Sequence, residues 1–229
     1  INSLNTEDKK ITLLIDVAYI DFAGTPEETR TFLPIIEKLD DDVLILISYS
    51  TSKTFTFYGF RCAALICLAG YGSVADEFER VCAFSSRATW SNSPRAPQEI
   101  IDRIYSDENL VSRVDEERKG FRDMLFARGK AFEMAAEEAG LEILPFRAGF
   151  FVTVPCENPD ELGARLEEEG IFVVPLAKGG IRVSIASISK EKCEKIPELI
   201  YTKMHSISNK QHDNLLKKKG CDAKNGRKN

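Results

Sequence analysis

The chain reads as an α/β fold: a sheet with parallel crossovers and helices, followed by a second group of short strands and helices. Three observations carry this reading. Short unbroken apolar runs at 11–15, 43–48 and 62–69 have the composition of strands buried on both faces. A helix-start signal lies between the first two, and strand–helix–strand alternation calls for parallel crossovers. A long helical pattern over 109–140 then separates these runs from a second group of short strands and helices.

The elements follow in order. Residues 11–15 form the first strand, which Asp16 ends. Thr25 is placed to cap a helix, with Pro26 at its first position and Glu27 and Glu28 in its first turn. The apolar residues Phe32, Leu33, Ile35, Ile36 and Leu39 follow. Strand 43–48 comes next, with Lys53 just past its carboxyl end. The strand over 62–69 stops at Gly70. Residues 72–86 have helical spacing, with Val74, Phe78, Val81 and Cys82 on one face. A proline-rich bend at 94–97 leads to a helix over 98–105. The pattern from 109 to Gly140 is one long helix or two in tandem, with Gly140 as the stop. Strands are expected at 149–154, 171–174 and 180–185. A helix from Asn158 to Gly170 lies between the first two, and Ser189 starts a last helix ending near Tyr201.

Composition narrows the function classes. The 229 residues are ordinary for a globular protein, and no apolar run approaches the roughly 20 residues that span a membrane. The opening Ile1-Asn2-Ser3-Leu4 has neither the basic nor the apolar region of a signal peptide, so cytoplasmic residence is expected. Six cysteines, Cys62, Cys67, Cys82, Cys156, Cys193 and Cys221, are scattered without CxxC spacing and read as reduced thiols. The two histidines, His205 and His212, both fall near the end, which leaves the body of the chain without a histidine-based metal or catalytic cluster. Net charge is −5, yet residues 203–229 hold eight Lys/Arg against two Asp/Glu. That tail is expected to be disordered, and neither a nucleic-acid nor a membrane partner is expected.

The chemistry concentrates in a few places. Asp16-Val17-Ala18-Tyr19 follows the first strand. Ser50-Thr51-Ser52-Lys53 follows the second, and Arg61 stands eight positions after the lysine. Arg87-Ala88-Thr89-Trp90-Ser91-Asn92 comes later, and Arg182 lies in the apolar run Gly180-Ile181-Arg182-Val183. A lysine amine can make a Schiff base with an aldehyde, and a carboxylate can pair with a pyridinium nitrogen. Hydroxyls and a guanidinium can hold a phosphate. Both Asp16 and Lys53 lie just beyond the carboxyl end of a strand, where ligands of open α/β sheets sit. Each residue taken singly has a plainer reading: a turn-capping Asp16, a core Tyr19, a surface Lys53, an exposed strand Arg182, a helix-terminal Arg87. Arg61, beside apolar residues, calls for an anion partner.

As an ordered set, these segments resemble the class I aminotransferases, pyridoxal 5'-phosphate (PLP) enzymes of the aspartate aminotransferase fold, and within them the aspartate and aromatic branch. The resemblance covers residues 11 to 202. It implies a C-terminal portion of that fold: part of a three-layer α/β cofactor domain over 1–108, a linking helix and small α+β domain over 109–202, and the tail 203–229. It implies a Schiff base on Lys53, Asp16 on the pyridine nitrogen, Tyr19 on the phenolic oxygen, and Ser50, Ser52 and Arg61 on the phosphate. Arg182 would grip the substrate α-carboxylate. Arg87 would hold the distal carboxylate of a dicarboxylic substrate across a homodimer interface, with Arg95 as a rival. The expected reaction is transamination between an aspartate or aromatic amino donor and a 2-oxo acid such as 2-oxoglutarate, with no metal. The alternatives are another PLP reaction on the same scaffold, or an inactive or regulatory aminotransferase-like domain.

Overall fold

A computed structural model describes the backbone of residues 1–225 and side chains through Ile207. Two compact units divide the chain, Ile1–Arg122 and Asp123–Asn229. Their boundary falls inside the long helical stretch.

The first unit holds a three-stranded sheet in the order β1-β2-β3. Strand β1 (Thr12–Asp16) runs parallel to β2 (Leu44–Ser50), with Thr12 opposite Leu44 and Asp16 opposite Ser48. Their alternate side chains face a small core of Ile36, Val43, Ile45 and Ile47, with Leu13, Ile15 and Phe32 packed against it. Strand β3 (Ala63–Leu68) is antiparallel to β2, contrary to a sheet built only by parallel crossovers. The reason lies in the connection. Residues 51–62 contain only the single turn α3 (Thr51–Thr54) and a 3-10 turn at Tyr58–Phe60, too little to carry the chain back to the starting end of the sheet.

The helix begun at Thr25 is also shorter than its start signal suggests. Thr25 and Glu28 form a complete capping box, but α1 (Pro26–Thr29) closes after one turn, and a second single turn, α2 (Leu33–Ile36), follows. Pro34 accounts for the break: its ring would collide with the carbonyl of Arg30 in a continuous helix. Gly70, just past β3, is required for another reason. A Cβ there would lie 2.7 Å from the Asp41 carbonyl oxygen and as close to its Cα, a collision with backbone. Helices α4 (Gly72–Thr89) and α5 (Arg95–Tyr105) complete the unit with the start of α6 (Glu108–Ala139), which is one unbroken helix. Much apolar surface stays uncovered here: Leu14, Leu65, Ile66, Val81 and Phe84 are all exposed.

The second unit has the larger core. Its antiparallel sheet, in the order β4-β6-β5, consists of β4 (Phe151–Val154), β6 (Gly180–Ser184) and β5 (Val174–Leu176). Helix α7 (Pro159–Glu167), the last turns of α6 and helix α8 (Lys190–Asn225) enclose Phe132, Val154, Leu166, Ile181 and Ile200, all essentially inaccessible to water. Gly140 stops α6 as the sequence suggests: it takes φ +70°, and the amides of Gly140 and Leu141 return to the carbonyls of Glu137 and Ala136. Asn158 precedes α7 without a side-chain capping bond, and β5 lies three residues later than expected. Helix α8 runs on past 201 because Met204 and Ile207 still pack on the core. Residues 226–229 of the tail expected to be disordered lie outside the described residues.

Phe132→Ala should lower stability by about 3–5 kcal/mol, the usual loss for emptying a fully buried phenylalanine site. Urea denaturation followed by circular dichroism measures it, and a loss below about 1 kcal/mol would place Phe132 outside the core.

Candidate functional site

The parallel pairing of β1 and β2 sets the site. It continues one step past β1, where the Val17 amide donates to the carbonyl of Ser48 in β2 at 2.9 Å. The two chains therefore leave the sheet side by side. Asp16 closes β1 with an exposed carboxylate, whose Oδ1 accepts from the Ala18 amide at 2.9 Å and tightens the turn toward Tyr19. Ser50 closes β2 and caps α3, its Oγ accepting from the Ser52 amide at 3.3 Å.

In α3, Thr51, Ser52 and Thr54 are buried, which leaves Lys53 as the residue that reaches outward. Its Nζ lies 5.2 Å from the centroid of the Tyr19 ring and 5.9 Å from that of Tyr58. No carboxylate forms an ion pair with it among the described residues. Its side chain is thus held against two aromatic faces without a carboxylate partner. Tyr58 is the residue that the motif reading passed over. Burial, and secondarily its neighbour Tyr19, pushes its phenol above the usual value. Its place five positions after Lys53 in an irregular turn offered no periodicity to mark it.

The backbone of the lysine turn is fastened from several sides. Thr51 Oγ1 donates to the Cys62 carbonyl at 2.7 Å. Thr54 Oγ1 donates to Asp21 Oδ2 at 2.7 Å, and Arg118 Nε donates to the Thr54 carbonyl at 3.2 Å. The Arg118 guanidinium also stacks 5.3 Å from the Phe55 ring, which meets Tyr105 edge-on at 6.1 Å. Tyr49 joins the same group. Burial raises its phenol above the ordinary tyrosine value, and a hydrogen bond with Thr54 partly offsets that.

Arg61 takes a left-handed φ of +51° and is exposed, and its guanidinium donates to the Tyr58 carbonyl at 2.8 Å. The expectation of an apolar environment that forces an anion partner on Arg61 is therefore corrected: solvent and a carbonyl already serve its charge. Arg87, in the last turn of α4, is exposed and donates to Ser91. Arg95 pairs with Glu99 at 2.8 Å on the surface of α5.

Arg182 belongs to the second unit. It lies on the middle strand β6, opposite Thr153 of β4 and Val174 of β5, while its neighbours Ile181 and Val183 face the core. Its guanidinium lies 4.4 Å from the Phe151 ring, and its buried Nε has no hydrogen-bond partner. A buried guanidinium nitrogen without an acceptor is costly unless an anion completes it.

Among the described residues no group of three or more His, Cys, Asp or Glu is placed to hold a metal, and no helix is long and apolar enough to cross a membrane. Cys62, Cys67, Cys82, Cys156 and Cys193 are free thiols, and burial raises Cys67, Cys156 and Cys193. The side chain of Cys221 lies outside the described residues.

The family model for aminotransferase class I and II matches residues 3–200. A crystal structure of an aminotransferase from Anaerococcus prevotii superposes with a TM-score of 0.82 at 33% identity, over 86% of this chain and 48% of that one. An aromatic-amino-acid aminotransferase of Pseudomonas aeruginosa is 29% identical over 84% of this chain and 47% of its own length. A histidinol-phosphate aminotransferase of Pseudomonas putida is 24% identical over 76% of this chain and 44% of its own. The chain thus spans about half the length of these relatives.

Tyr49→Phe should flatten the loss of stability in alkali. Below about pH 10 a tyrosine is protonated in both folded and unfolded chains. Above it the unfolded phenol ionises first, so the wild-type chain loses stability as pH rises toward the raised folded value. Thermal melts between pH 8 and 11 test this, and parallel curves for the two proteins would contradict it.

Proposed function

The chain belongs to the class I and II aminotransferases, and from that premise we propose that it carries the lysine-bearing part of a site for PLP-dependent transamination. One observation carries the reading: Asp16 and the Lys53 turn leave the carboxyl ends of two adjacent, in-register parallel strands, with the Tyr19 ring beside the Lys53 amine. Bound PLP supplies an aldehyde for that amine and a ring that accepts electrons from the substrate carbon.

The chain's own residues do the rest. Lys53 would hold PLP through its amine and would serve as the base that takes the proton from the substrate Cα. The Asp16 carboxylate keeps the ring nitrogen protonated. Tyr19 donates to the phenolic oxygen. Ser50, Ser52 and Arg61 bind the phosphate, the hydroxyls by single bonds and the guanidinium as a fork. Arg182 binds the substrate α-carboxylate, which would supply the missing acceptor for its Nε. Arg87 reads the distal carboxylate of a dicarboxylic substrate. We assign an aspartate or aromatic amino donor, 2-oxoglutarate as acceptor, and a cytoplasmic homodimer as the working form.

Borohydride reduction in the presence of PLP, followed by peptide mapping, should place the label on Lys53. Lys53→Ala should remove that label and lower amino transfer to 2-oxoglutarate by at least about 10²–10⁴-fold. Label spread over surface lysines in the wild-type protein would retire the reading in favour of an inactive or regulatory domain. Label on Lys53 with elimination or decarboxylation products would assign another PLP reaction.

A further inference from the structure

Among the described residues, Asp21 is one of four buried polar or charged residues and the only carboxylate of the four. It sits in a 3-10 turn (Ile20–Phe22) two residues after Tyr19. Both of its oxygens are used. Oδ1 accepts from Arg30 at 2.9 Å, and Oδ2 accepts from the hydroxyl of Thr54, the residue next to Lys53, at 2.7 Å. A carboxylate costs several kcal/mol to bury without partners, so the pair of bonds is a condition of this arrangement.

We propose that Asp21 is a positioning residue for Lys53: through Thr54 it locks the lysine turn to the segment that carries Asp16 and Tyr19. The two segments are 33 residues apart in sequence at this bond, and the placement of the Lys53 amine against the Tyr19 ring spans the same junction. Arg30 orients Asp21 through its other oxygen, and Arg118 fixes the Thr54 carbonyl. A charge-assisted bond of this kind is directional and about twice as strong as a neutral one. It therefore limits how far α3 can rotate about its own short axis and carry Lys53 away. Asp21 itself touches neither cofactor nor substrate in this proposal, which rests on the reading of Lys53 as the reactive amine.

Thr54→Val removes the hydroxyl at constant shape, Asp21→Asn weakens the acceptor, and Thr54→Ser restores the bond. In the full chain without cofactor, hydrogen exchange at residues 51–56 should speed up by about tenfold or more in the first two variants, with strands β1 and β2 unchanged. The acetylation rate of Lys53, relative to surface lysines, should shift several-fold in the same variants. The share of borohydride-trapped PLP on Lys53 should fall by about tenfold, and Thr54→Ser should return all three readouts to the wild-type values. Wild-type exchange in Thr54→Val and Asp21→Asn would overturn the proposal. So would faster exchange with unchanged acetylation and trapping, which would make the bond a structural tie only. If the wild-type chain traps no PLP on Lys53, the functional reading fails by itself, while exchange and acetylation still judge the clamp.

Discussion

Parallel pairing of β1 with β2, from Thr12 opposite Leu44 to Asp16 opposite Ser48, is the constraint on which the chemistry of this chain depends. A parallel ladder aligns the carboxyl ends of its strands, so the loops that follow them are neighbours in space although distant in sequence. A one-residue slip would turn Ile45 and Ile47 out of the core. Register and core are therefore the same requirement, and the positions of Asp16 and Lys53 follow from apolar packing beneath them.

Above the sheet, the lysine turn cannot rely on apolar burial alone, because four residues of helix make too small a face. It is held by directed bonds instead. Thr51 reaches the Cys62 carbonyl, Thr54 reaches Asp21, and Arg118 reaches the Thr54 carbonyl while stacking on Phe55. Three of the four side chains in the turn point inward, and Lys53 is the remainder. The hydroxyl residues around the lysine thus divide their work. Thr51 and Thr54 fasten the turn, while Ser50 caps it by accepting from the Ser52 amide.

The two units differ in how completely they bury themselves. Around Phe132, Leu166, Ile181 and Ile200 the second unit has a closed core. The first has a small one, and Leu65, Ile66 and Phe84 remain open to solvent. Strands made of continuous apolar residues suit sheets covered on both faces. The bare faces accord with a chain that spans about half the length of its relatives.

The sequence alone determined the element types, the α/β class and the family resemblance. Apolar runs, the Thr25–Glu28 capping box and the Gly140 stop are local signals, each complete within a few residues. Asp16, Lys53 and Arg182 were also legible, because their positions relative to the apolar runs can be counted. Tertiary structure decided the rest. The antiparallel return of β3 depended on a connection too short to cross the sheet, and the split of the helix after Thr25 on a proline collision at Arg30. The persistence of α8 past 201 depended on where Met204 and Ile207 land on the core. Tyr58 beside the lysine, the Asp21–Thr54 bond and the unpaired Nε of Arg182 left no trace in spacing. Such contacts join residues that only a folded backbone brings together, and a one-dimensional pattern records periodicity but not proximity.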